Sequence, residues 1–447
     1  MRVKLSDHFT VKKLIRFVLP SIVMMLFTSV YGVVDGFFVS NYAGKTPFAA
    51  VNLILPFIMF VSTIGFMVGQ GGSAIVSKTL GEKDNEKANR IFSMLVYFVI
   101  AFGIIISVVS QIFIKRIAIL LGADSSMLTY CVLYGRISLV SLFAFMLQNA
   151  FQSFFVTAGK PQLGLYVTIL AGVNNMVLDF LFVGVLKWGV VGAASATAIS
   201  EFIGGLLPLV YFASKNKSLL RLTKPELDIK ALIKTFTNGS SELLTTASMS
   251  LVNMLYNFQL MRYIGENGVS AYGFIMYVNF GFLSVFIGYS VGVAPIVGYN
   301  FGAENERELK NIFSKSIAFI STFAFLLFGF AYIVSGKLDG IYVGYDEKLL
   351  SLTLNAFRIY SLSYLIAGFN IFASSFFTAL NNGAVSAAIS FFRTLVFQVV
   401  AVFVLPMLFG VDGIWWSICF AEACSLLISI FFILTQNKKY NYINKNA

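Results

Sequence analysis

Histidine is all but missing from this chain, and the one copy, His8, precedes the first apolar run. No imidazole is therefore available as a base within the apolar segments, and the absence of an H-E-x-x-H motif removes the metalloprotease reading. Cysteine is nearly as scarce: Cys131, Cys419 and Cys424 lie singly inside apolar segments with no C-x-x-C pair, which excludes a disulfide framework and a zinc module. Charged residues make up only 12% of the 447 residues, about half the share of a soluble chain. With no nucleophile constellation in view, an intramembrane enzyme is excluded as well, and no cofactor is expected.

Apolarity is abundant. Hydrophobic residues reach 58%, and runs long enough to cross a hydrocarbon core of about 30 Å recur from end to end. The 48 phenylalanines suit a lipid-facing surface or any Phe-rich membrane core and discriminate little. The net charge of +12 reads as membrane topology rather than nucleic-acid binding, because Lys and Arg sit in short loops between apolar spans. Arg2, Lys4, Lys12, Lys13 and Arg16 precede the first run as they would in a signal peptide, but that run is too long and leads into further spans, so it reads as an uncleaved helix.

Hydropathy predicts helices near 14–39, 47–76, 91–114, 128–156, 162–186 and 191–213, then a polar, basic linker over 214–234. Six more follow near 237–262, 268–299, 312–335, 350–379, 384–408 and 412–435, ahead of a tail over 436–447. The expectation is an all-α membrane protein of about twelve transmembrane helices: an N-terminal six-helix lobe (1–213), the linker, a C-terminal six-helix lobe (235–435) and the tail. Basic residues cluster at the N-terminus, after the second span (Lys78, Lys83, Lys87, Arg90), in the linker (Lys215, Lys217, Arg221, Lys224, Lys230, Lys234), after the eighth span (Arg307, Lys310, Lys315) and in the tail (Lys438, Lys439, Lys445). The alternate loops hold mainly Lys45, Lys115, Arg116, Lys187, Arg262, Lys337 and Lys348. That bias predicts a multi-pass protein of a bacterial inner membrane with both termini in the cytoplasm.

The halves are related. Sliding the sequence on itself by 221 residues places Ser29, Phe37, Tyr42, Gly44 and Ala50 on Ser250, Phe258, Tyr263, Gly265 and Ala271. The same offset matches Gly81, Ile91, Phe92 and Ser93 to Gly302, Ile312, Phe313 and Ser314, and Thr157, Ala158, Gly189, Gly192 and Glu201 to Thr378, Ala379, Gly410, Gly413 and Glu422. An even number of spans per half means that both halves enter from the same side, so the bundles are parallel repeats that enclose a midplane site in a V-shaped, two-lobe transporter.

An ionisable group at the centre of a span costs about 2.5–3.5 kcal/mol on insertion scales, so it is retained for function or paired within the bundle. Asp35 sits well inside the first span and Asp179 inside the fifth, where Asn175 shares its helix face. If Asp35 packs against that face, two carboxylates share a low-dielectric pocket, and a proton or a cation must join them. The alternative is that each Asp only hydrogen-bonds a helix end or lines an inert cavity. The repeat places Tyr256 opposite Asp35 and Val400 opposite Asp179, so only the first half keeps the acids, as a single coupling site would. Glu201 and Glu422 match across the repeat and divide evenly between a packing hydrogen bond and work in a cavity. Glu242 reads as an acid at the start of the seventh helix, where the helix dipole favours it. Arg136, Arg358 and Arg393 read as snorkelling cations, with an anionic substrate group as the alternative. Gln148, Asn149 and Gln152 give the fourth span a polar face that suits either a wet cavity or interhelical hydrogen bonds.

At these residues the chain resembles the multidrug and toxic compound extrusion (MATE) family, in its DinF-like branch of MepA-type exporters. Pro20 stands fifteen residues before Asp35, Asn175 and Asp179 stand four apart, and Thr197 follows eighteen residues after Asp179, all in the family's pattern. The segments Gly81–Arg90 and Gly302–Arg307 also resemble the family's loops. The resemblance implies a proton- or sodium-coupling site made by Asp35, Asn175, Asp179 and Thr197, with Tyr31, Gln152 and Glu201 as neighbours and Pro20 as a bend in the first helix. It implies antiport of amphipathic, mainly cationic drugs by alternating access, a contribution to antibiotic resistance, and action as a monomer among membrane lipids without nucleic acid. The C-lobe acids that the NorM-type branch carries in its seventh and tenth helices find no counterpart inside the predicted spans. The rival within transport is a flippase of lipid-linked oligosaccharides, which needs a more cationic cavity for pyrophosphate and often carries extra spans. A passive channel would conduct independently of Asp35.

Overall fold

The computed structural model describes residues 3–343 and 347–443. The side chains of Arg2, Lys45, Lys337, Lys348 and Lys445, which enter the charge argument, fall outside the described residues. The first half comprises α1 (Val11–Phe38), α2 (Lys45–Gly81), α3 (Asn85–Leu120), α4 (Leu128–Thr157), α5 (Pro161–Asp179) and α6 (Gly189–Ala213). The second comprises α7 (Ile229–Tyr263), α8 (Glu266–Gly302), α9 (Glu306–Val343), α10 (Glu347–Ser361), α11 (Tyr364–Ala379), α12 (Gly383–Phe391) and α13 (Phe397–Tyr440). No strand occurs among the described residues.

These elements make twelve membrane crossings. Helices α10 and α11 form one span bent by 47°, and α13 holds parts of two, because the chain reverses at Gly410, whose φ of +58° is a backbone state open chiefly to glycine. Helix α7 is more polar than the other long helices, since one side of it borders the cavity rather than lipid. It also begins at Ile229, earlier than hydropathy indicates, because Asp228 caps it by accepting the Ala231 N–H at 2.9 Å.

The repeat extends to the backbone. Left-handed residues recur 221 apart, at Gly44 and Gly265, Lys83 and Glu304, and Gly189 and Gly410. The seam between the halves has the same symmetry: α2 packs along α7, and α1 along α8. At Gly81 a Cβ would strike the Tyr299 carbonyl, and at its repeat partner Gly302 a Cβ would strike the Lys78 carbonyl, so the two helix ends cross in direct backbone contact. Gly71 meets Thr235 and Gly239 meets Met67 in the same way. The halves are thereby sealed at the end that carries the termini.

Helix α1 belongs to both lobes. Residues Leu5, Phe9, Leu14, Phe17, Val18 and Ile22 are buried in a core with α8, α9 and α11, whereas its later half packs on α5. Its start is tied to α9: Glu308 accepts the Phe9 N–H at 2.9 Å and pairs with His8 at 2.7 Å, while Asn311 donates to the Phe9 carbonyl at 3.0 Å. The 214–228 segment lies on α3, where Asn89 and Ser93 accept the N–H groups of Arg221 and Thr223 at 2.7 and 2.8 Å.

A carboxylate pair beside an inter-lobe cavity

Asp35 stands eight residues after Phe27 and four after Tyr31 on the face of α1 that packs on α5, where Gly172 leaves room for both rings. Asp179 ends α5, and a π-helical segment, Phe180–Val185, follows at once. Similar segments follow Asp35 at Val39–Ala43 and include Arg393 at Phe392–Val396. All three wide turns thus adjoin an intramembrane charge, where a π-turn re-aims side chains that regular α-helix would place elsewhere.

The structure brings the four residues of the motif together. Thr197 donates to Asp35 Oδ1 at 3.4 Å, and Asn175 Nδ2 donates to Thr197 Oγ1 at 3.4 Å. Asp35 and Asp179 are neighbours whose carboxyl groups interact directly across the contact of α1 with α5. Asp179 is wholly buried, yet neither of its oxygens accepts a hydrogen bond, and Asn175 Oδ1 also lacks a donor. Leaving a buried carboxylate unmatched costs several kcal/mol even after the protein relaxes around it. The open acceptors, with the second carboxylate and the Thr197 hydroxyl, are the all-oxygen set that a proton or a small hard cation satisfies.

Glu201 lies one turn after Thr197 on α6 and accepts from Ser141 Oγ at 2.5 Å. Tyr31 reaches the Gln148 side chain. Gln152 lies one turn further along α4, in a small void with Gln148, Thr168 and Pro208, and not against the carboxylate pair. Helix α1 runs unbroken through Pro20, which is buried.

Between the lobes lies a cavity of about 870 Å³. Its floor includes Gln70, Glu242 and Ser290, each next to the sealed seam, and its walls reach Asn52 and Val269 toward the opposite ends of α2 and α8. The cavity is therefore closed on the terminal side and open on the other. Thr28, Ser29, Gly32 and Val33 of α1 line it, but Asp35, Asn175, Asp179 and Thr197 do not. One helix separates the cavity from the carboxylate pair.

Two sequence expectations are corrected here. Arg393 does not snorkel: Nε lies 2.9 and 3.0 Å from the two oxygens of Glu422 and Nη2 lies 2.8 Å from one of them, in the cavity wall. Asn370 completes the site by donating to Glu422 Oε2 at 2.7 Å, so Glu422 is a paired group. Glu242 is not at the start of a helix, since α7 begins thirteen residues earlier at Ile229. It stands inside the span and lines the cavity, so the second lobe does carry an acid in its first helix. The Asp228 cap signal at Asp-Ile-Lys-Ala would have placed it correctly. Arg136 and Arg358 are exposed, Arg358 lying 5.3 Å from the Tyr332 ring.

The MatE family model matches residues 20–181 and 243–404. The Multidrug export protein MepA of Staphylococcus haemolyticus is 28% identical over 431 residues, covering 96% of this chain and 94% of that protein. The fold is also similar to a solved MATE in the straight conformation (TM-score 0.92, 20% identity, 97% of this chain and 98% of that one). A multidrug resistance MATE family transporter of the MOP superfamily, solved in an outward-facing conformation, gives a TM-score of 0.91 at 21% identity, with 97% of each chain covered.

Proposed function

The chain belongs to the MatE family, and from that premise we propose that it exports amphipathic drugs, chiefly organic cations, across a bacterial cell membrane in exchange for inward-moving protons or sodium ions. The observation that carries this reading is the isolation of a carboxylate pair from the large cavity by α1 alone. A coupling ion taken up at Asp35 and Asp179 and a substrate held in the cavity then act on opposite faces of one helix.

The excess of Lys and Arg in the loops of the terminal end assigns that end to the cytoplasm, so the cavity opens outward. In the proposed cycle the substrate leaves this state as a proton or cation reaches Asp35, the more accessible of the two acids, and neutralises the pair. Loss of that charge relaxes the outer half of α1. Pro20 has no N–H for the Arg16 carbonyl, which supplies the compliant point at which the helix bends while its first turns stay fixed to α9. The seam then opens, the ion leaves to the cytoplasm and substrate enters, with lobe rocking about a fixed site as parallel repeats permit.

The flippase reading fits less well, because Arg393, the one cation lining the cavity among the described residues, is already held by Glu422 and is not free for a pyrophosphate. The test is uptake of a fluorescent organic cation into everted vesicles containing wild type or Asp35→Asn, with proton and sodium gradients imposed separately. The expected result is uptake under one gradient, lost in the variant. A folded, inserted wild type that moves no cation under either gradient overturns the proposal.

A further inference from the structure

The charge inventory of the cavity leads one step further. Among the described residues, three carboxyl or guanidinium side chains line it: Glu242, Arg393 and Glu422. The last two neutralise each other at 2.8 Å, and Glu422 is also occupied by Asn370. Glu242 has no such partner among the described residues. Among the described residues the cavity lining therefore holds one acidic side chain without an ionic partner, fixed on α7 at its floor, one turn from Gly239 where the lobes seal.

The surroundings suit an amphipathic cation. Glu242, Thr245, Met249 and Tyr256 stand at helical spacing and form a stripe up the α7 wall. Tyr256 and Tyr272 stack at 5.0 Å, with hydroxyls directed to Gln398 at 3.0 Å and Asn253 at 2.8 Å, so these rings are fixed before any ligand arrives. The volume of about 870 Å³ is within the usual range for small-molecule sites. A carboxylate in a concave, low-dielectric floor focuses its field on whatever cation enters, and aromatic walls add attraction for a desolvated one.

We propose that Glu242 is the substrate's charge anchor: it holds the positive group of a monovalent amphipathic cation at the cavity floor, while the coupling ion binds the separate Asp35–Asp179 pair. This inference rests on the export reading above. It also gives the substrate a route to the seam, since a cation drawn to Glu242 sits where the lobes part when the cavity changes sides.

The experiment is equilibrium binding of tetraphenylphosphonium to the purified full chain, with triphenylphosphine oxide as a neutral probe of similar ring shape. Wild type, Glu242→Gln, Glu242→Asp and Asp35→Asn are compared. The expected result is that Glu242→Gln binds tetraphenylphosphonium at least about tenfold more weakly but the neutral probe equally, that Glu242→Asp recovers most of the loss, and that Asp35→Asn still binds the cation. Unchanged cation binding in Glu242→Gln overturns the proposal, whether or not that variant loses gradient-driven transport, and so does equal weakening for both probes. If wild type binds neither probe, it is the export reading that fails.

Discussion

Asp179 and Glu422 are both buried acids inside the membrane, and their surroundings give them opposite behaviour on substitution. No donor reaches Asp179, so Asp179→Asn removes a costly charge without orphaning a partner. Its thermal unfolding temperature should stay level or rise, while gradient-driven transport falls at least about tenfold, the exchange of stability for function common at active sites. A clear drop in unfolding temperature would show that the carboxylate is structurally satisfied. Glu422, by contrast, is bound by Arg393 and Asn370. Arg393→Ala strands it, at a cost of about 3–5 kcal/mol, and the double variant with Glu422→Leu should regain most of that loss. Thermal melts of the two single variants and the double variant in detergent measure the coupling, and additive losses would contradict the pairing.

Among the elements, α1 and the α2–α8 crossing decide how the lobes move. Gly81 lies against the Tyr299 carbonyl, so Gly81→Leu wedges the seam. The variant should insert normally, lose transport and expose a cysteine introduced at Thr235 to a membrane-impermeant thiol reagent from the terminal side. Continued protection of that cysteine would show that the seam is not the gate. The anchor of α1 on α9 is tested by Glu308→Ala, which leaves the buried Phe9 N–H without its acceptor, a loss of about 1–3 kcal/mol visible in the same melts.

Most crossings were legible in the sequence because length and hydropathy suffice for helices such as α3, where lipid faces the chain. Helix α7 was found but started late, because its first turns from Ile229 are polar and hydropathy alone does not mark where a helix is capped. The motif residues Asp35, Asn175, Asp179 and Thr197 could be gathered from spacing and resemblance. The Arg393–Glu422 pair could not: the two residues lie on helices that reverse at Gly410, and nothing in a linear pattern states that they face each other. Glu242 was legible in principle, through the Asp228 cap that sets where its helix begins.

At the scale of the whole molecule, two parallel repeats meet in a seam that is closed on the terminal side beneath an open cavity, and α1 is rooted in one lobe while its outer half packs on the other. Rocking of the lobes would exchange those two closures, with neutralisation of the carboxylate pair as the trigger. The most direct measurement is the spin-label distance between cysteines at Lys83 and Glu304, the repeat-related residues of the loops beside the seam, recorded in lipid nanodiscs as pH is lowered and, separately, as sodium is added. The account predicts a short distance that shifts to a longer population with one of these ions, and no such shift once Asp35 and Asp179 are both replaced by Asn. An ion-dependent shift of wild-type size in that double variant would contradict it.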